Sequence, residues 1–314
     1  MFIEHIEGGV NSKYWEELCV QAYTIKYNEF HFIEVPARNQ GDAGIEGFTK
    51  KGTGIAIQCY YPESDFTFQE LYTHQVNKIS KDIKRLLDED NANKNLKNMG
   101  ICPIKEWHFL VPEYSNKELI KHAEKKSKEV REKIKGNREL YDYLDENFTI
   151  LLCTEKHIAS YLTDIILTEN AAISLDIKLV DEDSIDWEST DSEIKSNVRR
   201  KVSKLTDDDS HRELLIEMFM KGYVSGVSEL LEINEYSTKI YSKIVNLIEE
   251  YTKKVQLESL MNNSGTVPSD KYRELSSDFL TRIDGELHFL NSSSRSRLSR
   301  QVMAKWLGDC PLDF

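Results

Sequence analysis

Apolar residues change period along the chain. In the first half, segments of helical and strand period alternate; in the second half only the helical period remains. Residues 12–27 place Trp15, Leu18, Cys19, Ala22 and Tyr23 on one helical stripe, with Ser12 positioned as the N-cap. Residues 30–38 alternate as a strand and close on Pro36. Residues 39–61 predict a strand, a Lys51-Gly52-Thr53-Gly54 turn and a returning strand. On that second strand Ile55 and Ile57 share one face, and Ala56, Gln58 and Tyr60 the other. Residues 65–87 predict a helix with Tyr72, Val76, Ile79, Ile83 and Leu86 inward. His74, Lys78, Lys81 and Arg85 form a stripe beside that face.

A short apolar run at 106–112 predicts a buried strand. Residues 117–138 predict a helix with Leu119, Ile120, Ala123, Val130 and Ile134 inside and a lysine-rich outer face, including Lys121 and Lys125. A strand at 148–153 and a helix at 155–167 follow. Alternating Ile173, Leu175, Ile177 and Leu179 then predict a last, half-exposed strand. The order over residues 1–180 is that of a mixed α/β layer domain. The acidic, aperiodic stretch 181–193 reads as a linker, and residues 194–314 as an all-α bundle with helices through 214–227, 240–255, 272–283 and 298–306.

A chain of 314 residues has room for two domains. Its net charge of -13 argues against indiscriminate polyanion binding by the whole surface, although the uneven placement of lysines leaves room for a local basic groove. Five scattered cysteines with no CxxC spacing argue against structural zinc and against a disulfide framework. No apolar run is long enough to cross a bilayer, and the first residues lack the pattern of a secretory signal. A cytoplasmic location is therefore expected.

The chemistry-bearing stretch is Gly41 to Gly47. Gly41, Gly44 and Gly47 leave little bulk around Asp42 and Glu46, and pairing with the returning strand would bring Gln58 and Tyr60 to the same patch. Oxygen donors gathered in this way suit a hard divalent cation such as Mg²⁺. The same residues also fit a Gly-rich hairpin whose acids face solvent.

The order helix, strand, Gly-Asp-x-Gly-Ile-Glu-Gly, hairpin, Ile-Gln-Cys resembles the Mrr-like branch of the restriction-endonuclease-like, PD-(D/E)xK nucleases, over about residues 13–166. The resemblance implies a restriction-endonuclease-like mixed sheet flanked by helices, followed here by the helical bundle. It implies that Glu16, Asp42, Glu46 and Gln58 hold Mg²⁺ or Mn²⁺. Glu46 stands where the pattern has Asp, and Tyr60 where it has the catalytic Lys. A relocated lysine, Lys78 before Lys81, would then supply the missing cation. Lys50, Lys51, Lys81, Arg85, Lys121 and Lys125 are the expected DNA contacts. The implied activity is hydrolysis of double-stranded DNA by an endonuclease serving as the effector of a restriction or anti-phage defence system. Residues 194–314 would bind a partner subunit or form a homo-oligomer. The alternative is a catalytically inactive nuclease-fold adaptor that binds DNA or a partner subunit, and RNA cleavage is not separated from DNA cleavage by these residues.

Overall fold

The computed structural model describes residues 2–36, 43–88, 96–168, 173–177, 184–261 and 267–309. They belong to two compact units: Phe2–Glu4 with Gly9–Ile165, and Met1 and His5–Gly8 with Ile166–Phe314.

In the first unit, α1 (Ser12–Lys26) starts at Asn11 rather than Ser12, because the Asn11 side chain accepts from the Tyr14 N–H and satisfies an open helical donor. The strand expected over 30–38 is shortened to β1 (Phe32–Glu34), since Asn28–Phe30 close into a 3-10 turn first. β2 (Gly47–Thr49) and β3 (Ile55–Cys59) follow. The helix α2 (Phe68–Leu86) begins with a Thr67–Glu70 capping box. β4 (Ile104–Val111), α3 (Lys117–Gly136), β5 (Leu144–Thr154) and α4 (Ala159–Leu167) complete the series.

The strands form one mixed sheet in the order β1-β2-β3-β4-β5. β2 runs antiparallel to β1 and β3, whereas β3, β4 and β5 run parallel. Every residue of β3 is buried, as expected of a strand covered on both faces. On one face Trp107, Phe109 and Val111 of β4 join Ile79, Ile83 and Leu86 of α2 and Leu119, Ala123, Val130 and Ile134 of α3 in the core. The intervening β4 positions face α1: Trp15 donates from its indole nitrogen to the Leu110 carbonyl (3.2 Å), and Tyr23 meets His108 Nδ1 at 2.7 Å. Helix α1 is thus fastened near both ends. The edge strand β5 is covered by α3, whose Ser127 hydroxyl accepts from Ile150 N–H and whose Arg131 donates to Phe148 O. Ile120, expected on the inner face of α3, is 52% exposed.

The second unit contains α5 (Ser192–Leu205), α6 (Asp209–Tyr236), α7 (Thr238–Met261), α8 (Pro268–Glu286) and α9 (Ser292–Asp309). Tyr251, Phe279 and Trp306 tie α7, α8 and α9 together, with Tyr251 and Trp306 stacked at 5.2 Å. Gly226 lets α6 approach α9 closely, for a Cβ there would lie 2.9 Å from the Gln301 side chain. The buried Lys201 amine of α5 donates to Trp306 O at 3.0 Å. Helix α5 has no counterpart among the helices expected from the sequence.

The two compact units divide at Ile165 and Ile166, inside α4. Residues 173–177 are not a sheet strand but an extended segment of the second unit. Leu175 forms isolated bridges to Ile6 and Leu290, and Ile173, Leu175 and Ile177 are buried. An extended chain alternates its side chains whether or not it has ladder partners, so the period-two pattern arises without a strand. Part of the expected linker, residues 181–183, lies outside the described residues. Among the described residues, no helix is long and apolar enough to cross a membrane.

Gly44 fixes the approach of the chain to α2. It has φ +78°, and a Cβ there would sit 2.3 Å from the Asp82 carbonyl oxygen, while its own carbonyl accepts from the Trp107 indole at 3.0 Å. Gly44→Ala is expected to destabilise the first unit by about 2–4 kcal/mol, read as lost amide-exchange protection in β2 and β3. Gly136→Ala, where a Cβ meets nothing within 4 Å, is expected to leave that protection unchanged.

Candidate active site

Glu46 enters the sheet one residue before β2. Its N–H donates to Ile57 O and its carbonyl accepts from Val35 N, so the backbone is held on both sides. The β2–β3 register sets it opposite Gln58, with both side chains on the same face of the sheet. There Oε1 accepts from Gln58 Nε2 at 2.5 Å and Oε2 from the Cys59 N–H at 2.6 Å. Glu46 is 8% exposed and Gln58 fully buried. Burial is the main reason the Glu46 carboxyl is pushed up to about 8. The nearby Glu16 carboxylate adds to the rise; hydrogen bonding from Cys59 and the positive charge of Lys78 oppose it.

Beyond the carboxyl end of β3 a cavity of about 430 Å³ opens. Glu16 reaches it from α1, Glu46, Cys59 and Tyr60 from the sheet, and His74 and Lys78 from α2. Three of the residues expected to cooperate, Glu16, Glu46 and Lys78, therefore line one cavity, and Gln58 touches Glu46 from beneath it. Asp42 lies outside the described residues.

Lys78 holds a second partner. Its Nζ is 2.8 Å from Oδ2 of Asp82, a fully buried carboxylate that also meets Arg85 at 3.4 Å. Asp82 was not among the sequence candidates, although an acid flanked by Ile79, Ile83 and Leu86 interrupts the apolar face of the helix. Tyr60 packs on Phe109 with ring centroids 6.2 Å apart, and burial, with Glu63 nearby, raises its phenol further above neutrality. It therefore cannot act as the ammonium it replaces. The Cys59 thiol is likewise held well above its ordinary value, first by burial, so it remains protonated and unsuited to nucleophilic attack.

The other predicted cations do not line this cavity, whereas Lys13, 3.4 Å from Glu17, does. Lys50 and Lys51 lie at the exposed β2–β3 turn, where Lys51 Nζ is 3.5 Å from His31 Nε2. Lys81 is exposed on α2 and Lys125 on α3. Lys121 pairs with Glu118 at 2.7 Å.

Among the described residues, no three histidine, cysteine or acidic side chains form a ready metal cluster. One observation nevertheless favours a hard cation: the fully buried Gln58 Oε1 has no hydrogen-bond partner, and it sits on the amide that already touches Glu46. An unsatisfied buried carbonyl oxygen beside Glu46, with Glu16 lining the adjoining cavity, is a donor set of the type Mg²⁺ or Mn²⁺ takes. Comparison with known proteins gives no relative: no protein-family model, no curated protein and no solved structure matches the chain.

The raised Glu46 pKa sets a pH dependence. Between its ordinary 4.5 and about 8 the folded chain keeps a proton that the unfolded chain has released, so metal-free stability falls as pH rises through that window. In Glu46→Gln, a rotated Gln58 amide can accept from the new side chain through Oε1. In chelator-containing buffer this variant is expected to match wild type near pH 4.5 and to exceed it above about pH 8 by on the order of a few kcal/mol. Parallel pH profiles of thermal unfolding would refute the assignment.

Proposed function

We propose that the first unit is a metal-dependent DNA endonuclease, the effector of a restriction or anti-phage defence system. The observation that carries this reading is the buried Glu46 carboxyl, anchored on β3 and sharing one cavity with Glu16 and Lys78. The element order of helix, three strands, helix and strand around that cavity supports the restriction-endonuclease-like reading.

In this reading Glu16, Glu46 and the Gln58 amide oxygen hold Mg²⁺ or Mn²⁺, together with Asp42 as the sequence pattern implies. The bound cation supplies Lewis acidity toward a phosphate oxygen and toward water. The chain's own residues do the rest. Cys59 N–H and Gln58 Nε2 orient the Glu46 carboxyl, which would otherwise rotate away from the cavity. The Lys78 ammonium offsets the charge of an entering phosphate, and Asp82 holds that ammonium at the cavity edge. The Trp15 and Tyr23 contacts fix α1 and with it Glu16.

A second reading is a catalytically inactive adaptor that binds DNA or a partner subunit. Tyr60 at the lysine position and the commitment of Lys78 to Asp82 favour it. In either reading the helical unit receives a regulatory partner or a second copy, for which α6 offers Leu214 and Met218, each 56% exposed, and Leu231, 59% exposed.

The purified chain is expected to cut circular DNA, single- or double-stranded, with Mg²⁺ or Mn²⁺, and Glu46→Ala and Lys78→Ala are each expected to slow this at least about 100-fold. Activity surviving in Glu46→Ala, or none in wild type with either metal and with DNA bound, would favour the adaptor.

A further inference from the structure

Besides Glu16, Glu46 and Glu63, the 430 Å³ cavity is lined by aromatic rings. Tyr60, Tyr61, Phe66 and His74 all line it. These rings are set in place. Phe66 and His74 stack on each other with centroids 4.3 Å apart and planes 21° from parallel. Tyr60 lies nearly parallel to Phe109 behind it (16°), and Tyr61 rests against the fully buried Trp15.

A duplex has no use for such a surface. Its bases are stacked inside, and it offers a protein mainly phosphates and groove edges, which demand unpaired cations. Part of the cationic stripes is engaged within the unit, while Lys81 and Lys125 stay exposed. Arg85 meets Asp82, Lys121 meets Glu118, Lys126 meets Glu129, and both Lys128 and Arg131 meet Glu124. These pairs compete with electrostatic grip on a duplex, and the net charge of -13 opposes it further. Stacking on rings, by contrast, needs an unpaired base and little positive charge. The cavity volume falls in the range used for small-molecule and nucleotide-sized ligands.

We propose that the aromatic wall formed by Tyr61, Phe66 and His74 is a nucleobase site, and that the chain takes single-stranded nucleic acid, with an unpaired base stacked in the cavity and its phosphate directed to Lys78, beside the acids that would hold the cation. This deepens the nuclease reading and rests on it for the fate of the phosphate, but base binding stands separately. It also changes the expected substrate from double-stranded DNA to an unpaired strand.

The test is fluorescence anisotropy of the full chain in EDTA, with labelled oligothymidylate, oligouridylate and a duplex of equal length as probes. At least one single strand is expected to bind roughly tenfold or more tighter than the duplex. Phe66→Leu, which keeps apolar bulk but loses the π-face, is expected to weaken it about 5- to 100-fold, with Phe66→Trp restoring binding. Equal affinity for duplex and single strands, or no loss in Phe66→Leu, overturns the proposal. The outcomes also separate the two claims. Phe66-dependent single-strand binding without cleavage by any metal-loaded sample supports the base site and removes the hydrolytic reading. Metal-dependent cleavage of a duplex at rates that Phe66→Leu does not change removes the base site and leaves that reading intact.

Discussion

A carboxyl group taken out of water and tied by both oxygens to a neighbouring strand constrains everything around it. Glu46 receives Gln58 Nε2 on one oxygen and the Cys59 N–H on the other, yet its pKa still rises to about 8 because burial outweighs those bonds and the attraction of Lys78. Such a group is expensive as an anion and inexpensive as an acid. A fold that served only itself would do as well with a glutamine there. The cost becomes intelligible if a cation enters the adjoining cavity, where its charge would offset the desolvation of Glu46 and the proximity of Glu16.

The rest of the first unit keeps those groups in register. Gly44 permits the chain to pass against the α2 backbone at Asp82, and Trp107 ties the same peptide to β4. The sheet fixes Glu46 against Gln58. Helix α1 is held by Trp15 at its first turns and Tyr23 further along, so Glu16 meets the cavity from the opposite face to Lys78. Phe66 and His74, stacked on each other, complete the lining. The proposed chemistry therefore draws on both helix layers, Glu16 from α1 and Lys78 from α2, at the one cavity.

Much of this fold was legible because it rests on local periodicity. The α1 stripe of Trp15, Leu18, Cys19, Ala22 and Tyr23 is buried throughout, and the turn at Lys51–Gly54 uses glycine at positive φ at Gly52 and Gly54. The pairing of Glu46 with Gln58 followed from strand alternation across a hairpin. Other features depend on long-range contacts and left no local trace. Residues 173–177 alternate because they are buried among helices, not because they join the sheet. Helix α5 begins inside the acidic stretch, capped by Asp191, and its apolar content is too thin to stand out. Asp82 reads as a polar residue on a helix until α2 is packed and its carboxylate becomes the anchor of Lys78. The aromatic wall joins residues of a loop and a helix whose rings share no sequence period.

Direct measurement of metal uptake tests the central claim most closely. Titration of the full chain with Mn²⁺, followed by loss of the free-ion electron paramagnetic resonance signal without DNA present, should reveal about one bound ion per chain. Both Glu46→Gln and Glu16→Gln should weaken that binding by roughly tenfold or more. Uptake in Glu46→Gln indistinguishable from wild type, or no uptake by wild type at all, would contradict the claim that this buried carboxyl exists to hold a cation.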